Sequence, residues 1–280
     1  MFSAKQIAVI VLVVVLIAAL FSLNIKGLQQ EGPAKPMAAA QTQAAAVELT
    51  LEKVSETAKQ TLNASLAAEI TSLETALKNA DEQNKLALYK ELAKKWDDVN
   101  VATPSALYKE LVAQKESSYE NWVLAGDQLS IAYQTTQDST SQPALVQKAI
   151  VAYQAALKLN PESLDAKTGL GCAYVSGTPN PMQGIQLLLS VVKQDPKNIK
   201  ANTNLGLFAM RSGQFDKAVT RFKTVIEQKP DPEAWFYLAT SYENLGQNKE
   251  AILAYQKSKE LAANPGLSDF VDQKIQALKK

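Results

Sequence analysis

One unit recurs along the C-terminal half of this 280-residue chain: a helix, a short break and a second helix. Its first helices carry Leu170, Leu205 and Leu238, which are spaced by 35 and then 33 residues. Small, bulky and proline residues follow each leucine at similar distances. These positions are Gly171, Gly184, Leu188 and Pro196; Gly206, Ala218, Phe222 and Pro230; and Ala239, Ala251, Tyr255 and Pro265. A hairpin of this kind cannot bury its apolar face alone, so the pattern predicts an all-α chain of stacked hairpins, an α-solenoid.

A degenerate first copy precedes these three units and carries Trp122, Gly126, Ala149, Tyr153 and Pro161. It differs from the others by a polar stretch, QTTQDSTSQP, between its two helices. The next unit has the segment GTPNP in place of a tight turn. In the last two units a single glycine separates the helices, and we expect these glycines to adopt a left-handed cap conformation.

The repeated residues resemble tetratricopeptide repeats over about Trp122–Pro265. The best-matched positions are Leu205, Gly206, Gly213, Phe215, Ala218, Phe222 and Pro230, and then Trp235, Leu238, Ala239, Tyr242, Gly246, Ala251, Tyr255 and Pro265. The chain as a whole is similar to single-span, membrane-anchored bacterial proteins of this family. The resemblance implies that the first helix of each pair lines a concave groove, and that protein or peptide segments bind there.

The family's groove positions can be carried over to the last three units. In the second unit they are Asp165, Thr168, Cys172 and Val175. The predicted partner-binding residues lie in the third and fourth units and are Lys200, Thr203, Leu207, Met210, Arg211, Glu233, Phe236, Thr240 and Asn244. The Lys/Asn set with which some members clamp a C-terminal carboxylate is replaced here by Thr203 and Leu207, which disfavours that specialised partner.

The N-terminus predicts a membrane anchor. Ile7–Leu23 is an uncharged apolar run of seventeen residues, and at about 1.5 Å per residue it is just long enough to cross a bilayer. A cleaved signal peptide is the alternative, but its apolar region is usually shorter, about 7–15 residues, and Phe21-Ser22-Leu23 offers no small-residue cleavage site. We therefore expect a single-pass protein of the bacterial inner (cytoplasmic) membrane with a periplasmic body. A cytoplasmic body stays open, because lysines flank the run on both sides.

The sequence between the anchor and the repeats predicts further helices. The stretch Val47–Lys78 has a continuous apolar stripe, which predicts one long amphipathic helix and allows self-association through Val47–Leu77. A helical hairpin, Glu82–Asp98 and Pro104–Gln114, should follow, with Thr103 as a cap. The hexapeptide ALYKEL occurs once in each of these two helices. The predicted organisation is an anchor at 1–25, an Ala/Gln/Pro linker at 26–46, a helical region at 47–118, repeat units at 119–161, 162–196, 197–230 and 231–265, and a capping helix at 266–280.

Composition argues against several classes of function. The chain has no histidine and one cysteine, which removes the commonest general base, the commonest metal ligand and any multi-cysteine zinc site. Lys and Arg number 29 against 28 Asp and Glu, and no basic stripe is present to follow a nucleic-acid backbone. We therefore expect no catalytic residues, no metal, no cofactor and no nucleic-acid partner.

Three functions remain to be compared. The first is a membrane-tethered scaffold or adaptor that binds proteins in its groove, for envelope protein assembly, folding or secretion. The second is an enzyme or a binder of carbohydrate or another small ligand that uses the loops Gly177–Pro181 and Thr135–Pro143. The third is a structural oligomer formed through the long N-terminal helix.

Overall fold

The computed structural model describes residues 49–262 and 265–279, and every regular element in these ranges is a helix. There are thirteen of them in the described part of the chain. They are α1 (Leu51–Lys59), α2 (Ala64–Asn79), α3 (Glu82–Asp98), α4 (Ala102–Lys115), α5 (Tyr119–Thr135), α6 (Gln142–Leu159), α7 (Leu164–Gly177), α8 (Pro181–Gln194), α9 (Ile199–Arg211), α10 (Phe215–Gln228), α11 (Pro232–Asn244), α12 (Asn248–Ala262) and α13 (Pro265–Leu278). The all-α prediction is confirmed for these residues.

The predicted anchor Ile7–Leu23 lies outside the described residues, as does the linker at 26–46. Among the helices that the structure does describe, none combines the length and the apolarity needed to cross a membrane.

The prediction of one long helix over Val47–Lys78 is wrong, because the chain breaks at residues 60–63 to give α1 and α2. The side chain of Asn63 accepts a hydrogen bond of 3.0 Å from the Leu66 amide, so it caps α2. The hydroxyl of Thr61 donates to the Ala58 carbonyl at 2.8 Å, which satisfies the end of α1. An apolar stripe continues through such a break, and this is why periodicity alone missed it.

The apolar stripe of α1 and α2 is covered by the chain itself. Ile70 is buried in a cluster with Trp96 and Tyr108 of the next two helices, and leucines of the stripe pack around this cluster. Lys59 on α1 and Glu74 on α2 form an ion pair of 2.7 Å that holds the two helices together. Self-association through Val47–Leu77 stays a prediction.

The predicted hairpin is present as α3 and α4, but its second helix begins at Ala102, before Pro104. Thr103 therefore lies inside the helix, and the prediction that it caps α4 is wrong; the cap position is held by Val101, which makes no side-chain bond. The two ALYKEL copies also differ in packing, since Ala87 is exposed whereas Ala106 is fully buried.

The predicted repeat units each contain two helices, α5–α6, α7–α8, α9–α10 and α11–α12, and each helix packs on the next. Gly213 and Gly246 join the helices of the last two pairs with φ angles of +73° and +71°, as the sequence predicts. The bulky residue of the second helix is fully buried in every unit, as Tyr153, Leu188, Phe222 or Tyr255.

Candidate partner-binding groove

The first helices of successive units lie next to each other. Helix α5 contacts α7, α7 contacts α9, and α9 contacts α11. The ammonium of Lys200 on α9 lies 3.4 Å from the Asp127 carboxylate on α5, so these side chains meet across the intervening helix α7. Side chains two units apart can touch in this way only if the wall of first helices curves inward on that side. The wall formed by α5, α7 and α9 is therefore concave, α11 packs next to α9, and we name the surface of these four helices the groove.

Three predicted apolar residues of the groove pack against one core. Leu207 and Met210 on α9 and Phe236 on α11 are half-buried, and all three pack against the same buried core. That core contains Phe222 and Tyr255 from the second helices. The side chains are therefore fixed from behind while part of their surface stays open to solvent.

Phe236 is the centre of an aromatic group. Its ring centroid lies 6.1 Å from Tyr237, 5.6 Å from Tyr255 and 6.0 Å from Phe270. The first two contacts are edge-on, which is a favourable geometry for aromatic pairs. Phe270 belongs to α13 and was not among the predicted site residues.

The predicted polar residues of α11 bond within their own helix. Asn244 donates to the Thr240 carbonyl at 2.8 Å, and the Thr240 hydroxyl donates to the Phe236 carbonyl at 3.0 Å. Glu233 accepts the hydroxyl of Tyr237 at 2.7 Å. Burial, together with this hydrogen bond and the negative charge of Glu233, raises the pKa of Tyr237 to about 12, so Tyr237 stays a neutral donor at physiological pH.

The remaining predicted residues lie apart from the aromatic group. The guanidinium of Arg211 stacks over the ring of Phe208 at 4.9 Å, so it is held against its own helix. Lys200 pairs with Asp127 towards the N-terminal end of the groove. Thr203 is half-buried on α9. Of the predicted set, Leu207, Met210 and Phe236 thus share one core behind them.

The structure also reveals polar sets at both ends of the array that the sequence predictions missed. In the first unit the Tyr153 hydroxyl donates to Asp127 at 2.7 Å, and Lys200 pairs with the same carboxylate. In the last unit the Tyr255 hydroxyl donates to Glu243 at 2.6 Å, and Lys274 donates to that carboxylate at 2.8 Å. A signal for the first set was available. Asp127 follows Gly126 just as Leu207 follows Gly206, so the spacing that predicts Leu207 as a groove position also applies to the first unit.

Cys172 lies on α7, between the helices that carry Asp127 and Lys200. Burial raises the pKa of its thiol to about 11, against a smaller opposing effect of Lys200. The thiol therefore stays protonated at neutral pH and has little nucleophilic character.

The loops of the alternative ligand site are not in one cavity. Residues 135–138 and Ser141 line a cavity of about 470 Å³ together with α1 and the connection between α3 and α4. The loop Gly177–Pro181 contributes nothing to its lining. Within the described ranges, no cluster of His, Cys, Asp and Glu side chains is arranged to hold a metal ion.

A search of curated protein sequences finds no match to this chain. Among solved structures, a crystal structure of the MamA protein covers 64% of this chain and 92% of its own, with 19% identity and a TM-score of 0.47. MamA from residue 41 to its end, from Desulfovibrio magneticus RS-1, gives 18% identity and a TM-score of 0.49, with 64% and 95% covered. YrrB, described as a TPR protein with an unusual peptide-binding site, gives 19% identity and a TM-score of 0.45, with 71% and 98% covered.

A comparison with family models gives one assignment, and it falls on the part of the chain that carries the apolar groove residues. Residues 203–267, from α9 to the start of α13, match the tetratricopeptide repeat family.

Proposed function

We propose that this chain is a scaffold protein that binds a segment of another protein in the groove, and that it catalyses no reaction. The observation that supports this most directly is that Leu207, Met210 and Phe236, on neighbouring first helices, are each half-buried and pack against one core. These residues stand at positions that the repeat leaves variable, and part of each side chain stays open to solvent. A segment laid across them would bury two or three apolar side chains.

The expected affinity is modest. Each apolar anchor contributes about 1.5–3 kcal/mol when fully buried, and the ordering of the segment offsets part of that gain. Two or three anchors therefore support a dissociation constant in about the micromolar range. Tethering to a membrane would raise the local concentration of the scaffold, so weak contacts would suffice.

The membrane tether is the second part of the proposal. The apolar run Ile7–Leu23 supports a single-pass anchor in the inner membrane, with the body in the periplasm and a role in envelope protein assembly, folding or secretion. A cytoplasmic body is the alternative orientation. Protease treatment of spheroplasts distinguishes the two, because only a periplasmic body is digested while the inner membrane is intact. N-terminal sequencing of the mature chain tests the anchor itself, since a start near Gln30 or Ala38 would mean cleavage.

The groove is tested by a double substitution, Met210→Glu with Phe236→Glu, in a crosslinking pull-down of the full chain from membranes. Both positions are half-buried, so circular dichroism must first confirm that the helices are intact. We expect the specific partners to be lost. The matched control is Leu253→Glu on α12, because this leucine is 66% exposed and belongs to a second helix. If the double variant keeps its partners and its fold, the groove is not the binding site.

Two other functions stay alternatives. The first is a small-ligand binder or enzyme. It would have to use the 470 Å³ cavity beside Thr135 without the loop Gly177–Pro181, because that loop does not reach the cavity. The second is an oligomer through Val47–Leu77, and analytical ultracentrifugation of the full chain over a range of concentrations tests it.

A further inference from the structure

Helix α13 carries an aromatic side chain that its role as a cap does not explain. A capping helix needs one apolar face to cover the last repeat and a polar outer face. Val271 and Ile275 supply the apolar face, since both are buried in the core that also contains Tyr255. Phe270 lies outside this face and is 45% exposed, and its ring centroid lies 6.0 Å from that of Phe236.

The orientation of α13 is fixed by an ion pair with the groove wall. Lys274, one turn after Phe270, donates to the Glu243 carboxylate of α11 at 2.8 Å. Glu243 is held in turn by the hydroxyl of Tyr255 at 2.6 Å. The side of α13 that carries Phe270 and Lys274 is thereby directed towards α11, as the next first helix of the array would be.

Two carboxylates lie close in the sequence to this aromatic pair. Glu233 lies one turn before Phe236, and Asp269 directly precedes Phe270. In the described part of the chain neither carboxylate belongs to an ion pair, whereas the charge of Glu243 is matched by Lys274. These two carboxylates therefore leave negative charge on the helix turns that carry the two rings, and this charge attracts a basic group on a partner. A cation placed over the open face of Phe270 would gain further from the ring.

We infer that α13 forms the last wall of the groove, and that Phe236 and Phe270 together bind a large apolar side chain of a partner segment that carries Lys or Arg beside it. The inference rests on the proposed function, since it names the chemistry of the segment that the groove binds. It adds Phe270, Glu233 and Asp269 as residues that determine which segment is chosen.

The probe is a library of random peptides displayed on phage and selected on the full chain, with the enriched peptides then synthesised and labelled. Binding is measured by fluorescence anisotropy to the wild type, to the groove variant Met210→Glu with Phe236→Glu, and to four further variants. They are Phe270→Ala, Phe270→Leu, the charge-removing pair Glu233→Gln with Asp269→Asn, and Leu253→Ala as the exposed control on α12. Melting temperatures are recorded for all of them, and Phe270→Leu keeps an apolar contact with Phe236 if the alanine variant is poorly folded.

We expect enriched peptides that share a large apolar residue next to Lys or Arg. Phe270→Ala should weaken their binding about tenfold, as loss of an aromatic anchor does, and Phe270→Leu should weaken it less. The charge-removing pair should weaken binding about threefold at low salt and less at high salt, because the attraction is screened. Leu253→Ala should bind like the wild type.

The other outcomes separate the inference from the proposed function. If the peptides bind Phe270→Ala as tightly as the wild type but fail to bind Met210→Glu with Phe236→Glu, the groove stands and the role of α13 is wrong. If they bind both equally well, or if no peptide is enriched, both proposals are overturned. If the enriched peptides carry acidic residues beside the apolar anchor, the inference that the partner segment carries Lys or Arg is wrong. Loss of binding in Leu253→Ala would place the site on the second helices.

Discussion

The second and fourth repeat units have the same pair of helices, but the contacts between the two helices differ. In α7–α8 the contact is made by backbone, since a β-carbon added to Gly184 would lie only 2.3 Å from the Gly171 carbonyl oxygen. In α11–α12 the corresponding positions hold Ala239 and Ala251, both fully buried. The bulky residue also differs: Leu188 fills the space in the second unit and Tyr255 in the fourth.

The difference determines how each pair can respond to a change. A backbone carbonyl cannot rotate away from an added methyl group, whereas a side chain can adjust its rotamer. The pair α7–α8 therefore has a contact that tolerates no added atom. The pair α11–α12 has ordinary side-chain packing. Its Tyr255 hydroxyl bonds to Glu243, which in turn accepts a hydrogen bond from Lys274 of α13.

The largest effect is expected from Gly184→Leu. The new side chain must displace the backbone of α7, because Val175 also stands within 2.9 Å of the added β-carbon through its amide nitrogen. We expect a loss of about 3 kcal/mol or more in the free energy of unfolding, measured by urea denaturation. The matched change in the fourth unit, Ala251→Gly, should cost about 1–2 kcal/mol through lost helix propensity and a lost methyl contact. Equal losses would mean that the two pairs do not differ as described.

A smaller loss is expected from Gly206→Leu in the third unit. Here the added β-carbon would meet the ring of Phe222 at 2.8 Å, and a ring is a side chain that can move. We expect a loss of about 2–3 kcal/mol, because the ring is fully buried and its movement disturbs the neighbouring hairpin. Phe222→Leu combined with Gly206→Leu should restore part of the stability. If the double variant is no more stable than the single one, the added side chain strains the backbone instead.

Much of the repeat region could be predicted from its sequence. Gly206 and Phe222 stand at fixed spacing in a repeated pattern, and the structure places the ring of one against the backbone of the other. Gly213 was predicted to be left-handed for the same reason, and its φ angle is +73°. Periodicity is informative here because each unit repeats the packing of its neighbour, so one good match determines several contacts.

The N-terminal helices and the polar sets could not be predicted in the same way. The break before Asn63 depends on a cap, and the apolar stripe continues across it. The pairing of Lys200 with Asp127 joins residues that are 73 positions apart, so it depends on the curvature of the array. Phe270 lies in the predicted capping helix at 266–280, and its contact with Phe236 depends on how that helix is rotated.

A more modest and pH-dependent effect is expected from Tyr255→Phe in the fourth unit. Partial burial alone would raise the pKa of Glu243, but the hydrogen bonds from Lys274 and Tyr255 outweigh it and lower the pKa below the ordinary value of 4.5. A carboxyl group with a lowered pKa stabilises the fold above about pH 4.5, and this contribution is lost as the pH falls through the folded value.

We therefore expect Tyr255→Phe to cost about 1 kcal/mol at neutral pH, as loss of one hydrogen bond does, and less in acid. Thermal melts between about pH 7 and pH 3 measure the difference, in the range where Glu243 becomes protonated. Phe222→Leu in the third unit is the control, since that residue has no hydroxyl to bond a carboxylate. Its effect should be the same at every pH. If the effect of Tyr255→Phe is constant over the same range, the contribution of the Tyr255 hydroxyl to stability does not depend on the charge of Glu243.

An effect as small as that of Tyr255→Phe is expected at the turn between α9 and α10. Gly213 has a φ angle of +73°, and a β-carbon added there would meet nothing within 4 Å. Gly213→Ala therefore introduces backbone strain without a steric clash, and it also reduces the freedom of the unfolded chain. We expect a net loss of about 1 kcal/mol by urea denaturation, smaller than any loss at a buried glycine. Gln214→Ala, one position further and exposed, should leave stability within about 0.5 kcal/mol of the wild type. The two sites are neighbours with open surroundings. If the loss for Gly213→Ala equals the loss for Gly184→Leu, the turn, and not the contact between paired helices, limits the stability of the array.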